Sequence, residues 1–278
     1  MLCRDSQPRP GFTLIEVLVV IAIFAVLVGL LPRGAEGQAD GPRLQCANHL
    51  KQIGLAMHSH HDQVGMFPHG GYNKLPLPTA TRTTAPEWSW AYHILPYLEQ
   101  EALYRSATDV VDATPIKAYY CPLRRSPVAL YGKAKMDYAG NAGTNLGRAG
   151  DDGVIVRGPK HRIRLTDITD GASSTVLVSE KQLNPDYFGV TPDDNKWYNR
   201  PGWNGDYEAY RRGDTPPAQD DPCVIPLGSE AFGSAHPLGF NACFADGSVR
   251  HVRYAVDLRI WTLACVRNDN LVFSINEL

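Results

Sequence analysis

The chain has 278 residues, of which 44% are hydrophobic, and it carries 27 basic against 29 acidic side chains. That length is enough to bury one sizeable core. The charges are mixed along the chain without a basic stripe or an acidic block, so neither nucleic acid binding nor a polyanionic tail is expected. The 25 glycines and 21 prolines are scattered, which favours many turns between short elements.

The N-terminus contains a long apolar segment, residues 12–31. As a helix with a rise of ~1.5 Å per residue, about 20 residues span the ~30 Å hydrocarbon core of a membrane. No small-x-small cleavage site follows the segment, which argues against an ordinary secretory signal peptide. The segment contains the carboxylate of Glu16, and an unpaired charge in a bilayer costs several kcal/mol. Cleavage after Gly11 supplies a cation, because the new α-amine of Phe12 lies one helical turn from Glu16.

The residues at the start of this segment carry a processing motif. Residues 11–16, Gly-Phe-Thr-Leu-Ile-Glu, resemble the processing site of type IV prepilins and type II secretion pseudopilins. The resemblance implies that Gly11 precedes the scissile bond, that Phe12 is the N-methylated mature start, and that Glu16 acts in subunit docking. It also implies a prepilin peptidase as partner. The protein is then a single-pass inner-membrane protein with a cytoplasmic N-terminus and a periplasmic or extracellular globular domain.

The chain after the apolar segment begins with prolines and glycines. A helix break is predicted between Pro32 and Pro42, since a glycine costs roughly 1 kcal/mol and an interior proline about 3 kcal/mol in a helix. From Leu44, apolar residues recur at intervals of three and four, which predicts an amphipathic helix that ends between Asp62 and Gly65. Its predicted buried stripe is Leu44, Ala47, Leu50, Ile53, Gly54 and Met57.

Short elements are predicted in the following part of the chain. A helix is expected around residues 91–104, with Pro96 delaying or kinking it. Apolar runs at 154–156 and 175–179, each after an Asp-Gly pair, predict strands. Residues 184–222 show little periodicity and are predicted to form a long surface excursion.

A hairpin and a closing helix are predicted near the C-terminus. Strands at 240–245 and 248–252 flank Asp246 and Gly247, which favours a two-residue type I′ turn with both residues at positive φ. Apolar residues between 260 and 266 then indicate a short helix.

The spacing of His236 to Asp246 and Gly247 carries a second resemblance. Nine residues separate His236 from the Asp-Gly pair, and this H-x9-DG pattern resembles a family of prepilin-type bacterial proteins, the domain of unknown function 1559. Further matching motifs are Gln45-Cys46-Ala47-Asn48, residues 50–56, Trp88-Ser89-Trp90, residues 95–100, Cys121-Pro122 and residues 168–171. The resemblance implies an α+β, pilin-like fold, with a long N-terminal hydrophobic helix followed by a mainly antiparallel β-sheet. The expected organisation is a leader at 1–11, a transmembrane and assembly helix at 12–31, a connector at 32–43 and an exported domain at 44–278.

The six cysteines show no C-x-x-C spacing, which argues against a zinc ribbon or a thioredoxin-type site. Removal of the leader leaves five in an exported, disulfide-permissive setting, so at least one stays free or pairs between chains. The two cysteines that fall in family-like motifs, Cys46 and Cys121, are the predicted disulfide. Cys243 with Cys265 is the second choice, and Cys223 is left over.

The sequence lacks the local signals of common enzymes, such as a nucleophile elbow, a Walker loop or an H-E-x-x-H helix. We therefore expect no enzymatic activity, no catalytic residue, no cofactor and no metal. His236 with Asp246 is one candidate for a catalytic or metal-binding pair. The favoured interpretation is structural, with Asp246 and Gly247 in the turn and His236 hydrogen-bonded to the hairpin backbone.

Two function classes follow from these observations. The first is a subunit of a pilus-like or type II secretion-like envelope assembly, which associates with itself or with other pilin-like subunits. The alternative is a non-polymerising, membrane-anchored envelope protein that binds an extracellular polymer. Its binding surface would consist of the aromatic residues Trp88, Trp90, Trp197, Tyr198, Trp203, Tyr207 and Tyr210, although packing in the core and loops explains them as well.

Overall fold

The computed structural model describes residues 14–30, 40–71, 88–144, 152–158, 162–192, 194, 197–199, 209–223 and 230–278. The chain divides into two units, Met1–Asp40 and Gly41–Leu278. The leader, with Gly11, and the predicted mature start Phe12 lie outside the described residues. So do residues 31–39, which contain most of the predicted helix break.

The first unit contains one described helix, α1, at Leu14–Leu30, with 17 residues. Its sequence is apolar apart from Glu16. Several of its large apolar side chains are half exposed or more, among them Leu14, Ile15, Leu18 and Ile21. No helix within the described residues is both long and apolar enough to cross a membrane.

The remainder of the described chain is α+β. Its α-helices are α2 at Asp40–Val64, α3 at Trp90–His93, α4 at Glu101–Tyr104, α5 at Thr108–Ala113 and α6 at Leu258–Cys265. Its 3-10 helices are Leu95–Leu98, Lys117–Tyr119, Leu165–Asp167, Pro185–Tyr187 and Ile275–Glu277. Its strands are β1 at Tyr138–Asn141, β2 at Val176–Glu180, β3 at Tyr210–Arg211, β4 at Ala218–Gln219, β5 at Gly233–Ser234, β6 at Gly239–Phe244 and β7 at Val249–Arg253.

The main sheet has five strands in the order β3-β1-β2-β6-β7. The pairs β1 with β2, β2 with β6 and β6 with β7 are antiparallel, whereas β1 pairs with β3 in parallel. A separate two-stranded sheet pairs β4 with β5 in parallel. The predicted α+β class with a mainly antiparallel sheet is therefore confirmed.

Side chains of β6 alternate between two hydrophobic cores, as the period of two in a strand requires. Phe240 and Phe244 pack in a core with Trp261 of α6. Cys243 packs in the other core, together with Ile53 of α2. The main sheet is consequently covered by α2 on one face and by α6 on the other.

Helix α2 matches its prediction in kind but differs in its bounds and its buried stripe. It begins at Asp40 and includes Pro42 in its first turn, where a proline removes no intrahelical hydrogen bond. It ends at Val64, before Gly65 at φ +82°. Leu44 is exposed, and the residues that face the sheet are Cys46, Leu50, Ile53 and Met57.

Two further predictions are corrected, and three others are confirmed. The helix expected at 91–104 is split into α3, a 3-10 helix and α4, and Glu99 between the last two has φ +61°. Residues 154–156 are buried but do not form a strand, although Ile155 N donates to Asn141 O at 2.9 Å. The strand expected at 175–179 is β2, the hairpin strands are β6 and β7, and the closing helix is α6.

The described part of residues 184–222 is not exposed throughout, as a surface excursion would be. It contributes β3, which forms one edge of the main sheet. Asp194 and Arg211 are almost fully buried. The burial of this segment could not be predicted from hydrophobic periodicity, because its buried side chains include charged residues. The partners of those residues come from distant parts of the chain.

Candidate functional site

Four buried side chains from four separate segments converge beside the main sheet. Cys46 lies on α2, Cys121 follows the 3-10 helix Lys117–Tyr119, Glu180 ends β2, and His236 lies between β5 and β6. One sulfur, nitrogen or carboxylate oxygen from each lies within 4.8 Å of the others. We call these four residues the thiol–imidazole cluster.

The contacts within the thiol–imidazole cluster form a chain. The Cys46 thiol donates to Cys121 Sγ at 2.8 Å. Cys121 Sγ lies 3.6 Å from His236 Nε2, and the same nitrogen lies 3.3 Å from Glu180 Oε1. All four side chains are almost inaccessible to solvent, with His236 1% exposed and the others 0%. One imidazole nitrogen therefore faces both a sulfur and a carboxylate oxygen.

The carboxylate of Glu180 is oriented by Asn241 on the neighbouring strand β6. The backbone N of Asn241 donates to Glu180 Oε2 at 2.7 Å, and its Nδ2 donates to the same oxygen at 3.1 Å. Within the described chain, Glu180 Oε1 accepts no well-directed hydrogen bond. This leaves Oε1 turned toward His236, 3.3 Å from Nε2.

The electrostatics of the cluster favour a thiolate at Cys121. The hydrogen bond from Cys46 lowers the pKa of Cys121 to about 6, with a further contribution from His236, although burial opposes both. The same hydrogen bond, together with burial, raises the pKa of Cys46. Burial lowers the pKa of His236, but Cys121 and Glu180 outweigh it and raise that pKa to about 9. These shifts favour the thiolate form of Cys121 and the imidazolium form of His236.

The two cysteines with a predicted disulfide, Cys46 and Cys121, are brought together by the fold. Both are free in the structure, and their Sγ atoms are 2.8 Å apart. The disulfide stays a prediction. The second choice is not brought together, because Cys243 packs in the core under α2 and Cys265 in the core under α6, on opposite faces of the sheet.

The loop between β6 and β7 differs from the predicted two-residue turn. Phe244 N donates to Ser248 O at 2.8 Å, so the loop contains three residues, of which Gly247 has φ +79°. Asp246 is not at positive φ, and its Oδ1 accepts from Ser248 N at 2.8 Å. This pattern matches a three-residue hairpin loop in which only the last residue is left-handed.

The ring of His236 has a different environment from the one predicted. Its Nε2 lies against Cys121 and Glu180 rather than the hairpin backbone. The backbone of His236 is held instead, since its N donates to Ser234 Oγ at 3.0 Å and its O accepts from Tyr254 Oη at 3.1 Å. The expectation of no metal site depended on the absence of C-x-x-C spacing and on a histidine without nearby ligands in the sequence. The fold brings Cys121 and Glu180 next to that histidine.

Sequence reasoning missed Glu180 as a site residue. It ends an apolar strand, and no residue near it in the sequence belongs to the cluster. The one available signal was a carboxylate at the end of a strand predicted to be buried. Such a group needs a partner, because an unpaired buried charge is costly.

The aromatic residues considered as a binding surface are mostly in the interior. Trp88, Trp90, Tyr198 and Tyr210 are at most 3% exposed. Trp197 is partly exposed, and Lys133 Nζ lies 4.8 Å from its ring centroid. Trp203 and Tyr207 lie outside the described residues, as does the side chain of Glu16. The four buried aromatics therefore serve packing.

Comparisons with known proteins identify two regions of the chain. Residues 42–259 match the family model described as protein of unknown function (DUF1559). Residues 8–32 match the model of the prokaryotic N-terminal methylation motif. No curated protein and no solved structure matches the chain.

Proposed function

Because this chain belongs to the DUF1559 family and opens with a prokaryotic N-terminal methylation motif, we propose that it is a pilin-like subunit of a pilus-like or type II secretion-like envelope assembly. The motif implies processing by a prepilin peptidase and suggests a membrane-anchored envelope protein. The observation that carries the proposal is the match at residues 8–32, which includes Gly11, Phe12 and Glu16. We propose no enzymatic activity.

Features of the described helices support an assembly role. The large apolar side chains described in the first part of α1, residues 14–23, are about half exposed or more, so this part of the helix requires a lipid or protein environment. On α2, Leu44 is 58% exposed and Leu55 54% exposed. They are separated by about three helical turns and so lie on the same outer face. Both features suit packing against neighbouring subunits.

Within this proposal, the amine of Phe12 and the carboxylate of Glu16 link subunits. An unpaired carboxylate in an apolar environment is costly, and the mature α-amine supplies the counter-charge. The pairing requires the cleavage, because the amine does not exist in the precursor. Processing therefore comes before assembly.

The experiment that tests the proposal separates cleavage from assembly. Gly11→Leu places a bulky side chain before the scissile bond and is expected to leave the precursor uncut in the membrane. Glu16→Ala is expected to be cut normally but to disappear from high-molecular-weight complexes after crosslinking of intact cells. Gly29→Leu, a matched glycine further along the apolar helix, is expected to be cut like the wild type.

Two outcomes would overturn the proposal. If Gly11→Leu were cut as efficiently as Gly29→Leu, the motif would not direct processing. If Glu16→Ala entered crosslinked complexes as well as the wild type, the ion pair would have no part in assembly.

A further inference from the structure

The thiol–imidazole cluster has the composition of a metal site. It offers two sulfurs, one imidazole nitrogen and one carboxylate oxygen, and four such protein ligands make a closed structural site for Zn²⁺. Thiolates favour zinc over magnesium or calcium, which prefer oxygen ligands. As ligands, the two thiolates and the carboxylate carry one negative charge each. A bound divalent cation therefore leaves the site with a single net negative charge.

We propose that Cys46, Cys121, Glu180 and His236 bind one Zn²⁺ in a tetrahedral, structural site. The ion is coordinated by the two sulfurs, by His236 Nε2 and by Glu180 Oε1. This assignment does not depend on the processing or assembly of the chain.

The distances are close to those that zinc requires. Bonds of ~2.3 Å to sulfur and ~2.0 to 2.2 Å to nitrogen or oxygen place tetrahedral ligands about 3.3 to 3.8 Å apart. His236 Nε2 lies 3.3 Å from Glu180 Oε1 and 3.6 Å from Cys121 Sγ, which fits. The sulfurs, now 2.8 Å apart, must separate by about 1 Å, a shift within reach of small side-chain rotations.

A second layer of contacts already orients the ligands. Asn241 holds Glu180 Oε2 with two hydrogen bonds and so directs Oε1 into the cluster. Cys121 N donates to Asp137 Oδ2 at 2.8 Å, which fixes the backbone of that ligand. Such outer contacts are typical of metal sites, where they preset ligand geometry.

The ligands come from parts of the chain that are far apart in sequence. Zinc would join α2 to the end of β2, to the chain after Lys117–Tyr119 and to the loop before β6. The site would therefore hold α2, the helix that follows the apolar segment in the sequence, against the sheet. Since the ion binds only the folded state, it stabilises that state.

Zinc and the predicted Cys46–Cys121 disulfide exclude each other, because both use the same sulfur electron pairs. Formation of the disulfide removes two protons and two electrons from the thiols and needs an external oxidant. In its native membrane, the protein carries zinc on reduced cysteines. The mass of the native chain separates the two states.

The test measures zinc in the full chain purified from membranes in detergent without added metal or chelator. One zinc per chain is expected by elemental analysis, with Cys46 and Cys121 unmodified in the intact mass. Removal of zinc by a chelator is expected to lower Tm, and added Zn²⁺ to restore it. Cobalt substitution is expected to give a thiolate-to-cobalt charge-transfer band.

Variants locate the ion. Cys46→Ser, Glu180→Gln and His236→Ala are each expected to weaken zinc binding at least about tenfold. Cys223→Ser, which alters an exposed cysteine outside the cluster, is expected to bind zinc like the wild type. Glu180→Gln keeps the shape of the side chain and an oxygen that can accept the hydrogen bonds from Asn241. Its zinc affinity therefore tests whether Glu180 is a ligand, even if a cysteine variant fails to fold.

Three results would overturn the proposal. The first is native protein whose mass is lower by two hydrogen atoms, with a Cys46–Cys121 crosslink in peptide maps. The second is reduced, folded protein that binds no zinc. The third is that Glu180→Gln and the other cluster variants fold and bind zinc as tightly as the wild type. The zinc would then be an adventitious ion only.

Discussion

Buried charges stabilise the chain segments that have little hydrophobic periodicity. Arg125 contacts both Asp137 and Asp194, while the neighbouring Arg124 contacts Asp220 at 2.8 Å. All five side chains are at most 7% exposed. Removing one partner of such a pair leaves the other charge buried, which costs about 3 to 5 kcal/mol. These pairs attach the described part of residues 184–222 to the rest of the fold.

The stability of the protein is expected to depend on pH through Asp194. Burial alone would raise its pKa, but Arg125 outweighs burial and lowers the pKa to about 2 from the usual 3.8. The pair therefore stabilises the fold fully above about pH 4, and this contribution, on the order of 2 kcal/mol, is lost as pH falls toward 2. Asp194→Asn is expected to lower Tm at neutral pH and to flatten its decline in acid.

Thermal unfolding followed by tryptophan fluorescence between about pH 7 and pH 2 measures this effect. Asp62→Asn is the control, because the Asp62 side chain is 82% exposed, and it should leave the curve unchanged. Parallel curves for Asp194→Asn and the wild type would contradict the expectation.

At the scale of single residues, the sequence predicted the conformation of a turn residue better than it predicted which side chains contact each other. Gly247 was expected at positive φ and has φ +79°, because an Asp-Gly pair between two alternating strands indicates a hairpin. The loop length was wrong by one residue, since a bulge cannot be recognised from the pair alone. The partners of His236 were not predictable, because Cys121 and Glu180 lie 115 and 56 residues away in the chain.

Among the elements, those with a clear period were predicted and those stabilised by tertiary contacts were not. Helix α2, strand β2, the β6–β7 hairpin and helix α6 follow the hydrophobic pattern. The two-residue strand β3 does not, because its pairing with β1 depends on the whole sheet. The thiol–imidazole cluster also depends on tertiary contacts, since its four residues come from segments that are far apart in the sequence.

The approach of α2 to β6 depends on Gly54. A Cβ at this position would lie 2.6 Å from Cys243 Sγ, which is too close for an ordinary contact. Gly54→Ala is therefore expected to destabilise the fold by about 1 to 3 kcal/mol through overpacking. Cys243→Ala removes the sulfur, so the double variant is expected to recover most of the loss, as thermal unfolding of all variants will measure.

Gly41 provides the matched control for this experiment. It lies in the same helix, but a Cβ there meets no atom within 4 Å. Gly41→Ala is expected to cause no loss and to gain up to about 1 kcal/mol from helix propensity. Close packing of Gly54 against Cys243 would be contradicted if Gly54→Ala were as harmless as Gly41→Ala, or if Cys243→Ala did not restore the stability lost in Gly54→Ala.

For the whole molecule, two parts of the chain match different family models. The match to the N-terminal methylation motif covers residues 8–32, and the match to the DUF1559 family covers residues 42–259. The first part implies cleavage by a prepilin peptidase, and the second folds into the α+β domain with its buried cluster. Every step of the proposed assembly follows from the first part, because the new α-amine arises only by cleavage.

The intact mass and N-terminal sequence of the chain purified from its native membrane decide whether the chain is processed as a prepilin. We expect a mature chain that begins at Phe12 and carries one methyl group on its α-amine. An unprocessed chain that begins at Met1, or a chain cut after Leu31, would contradict this expectation.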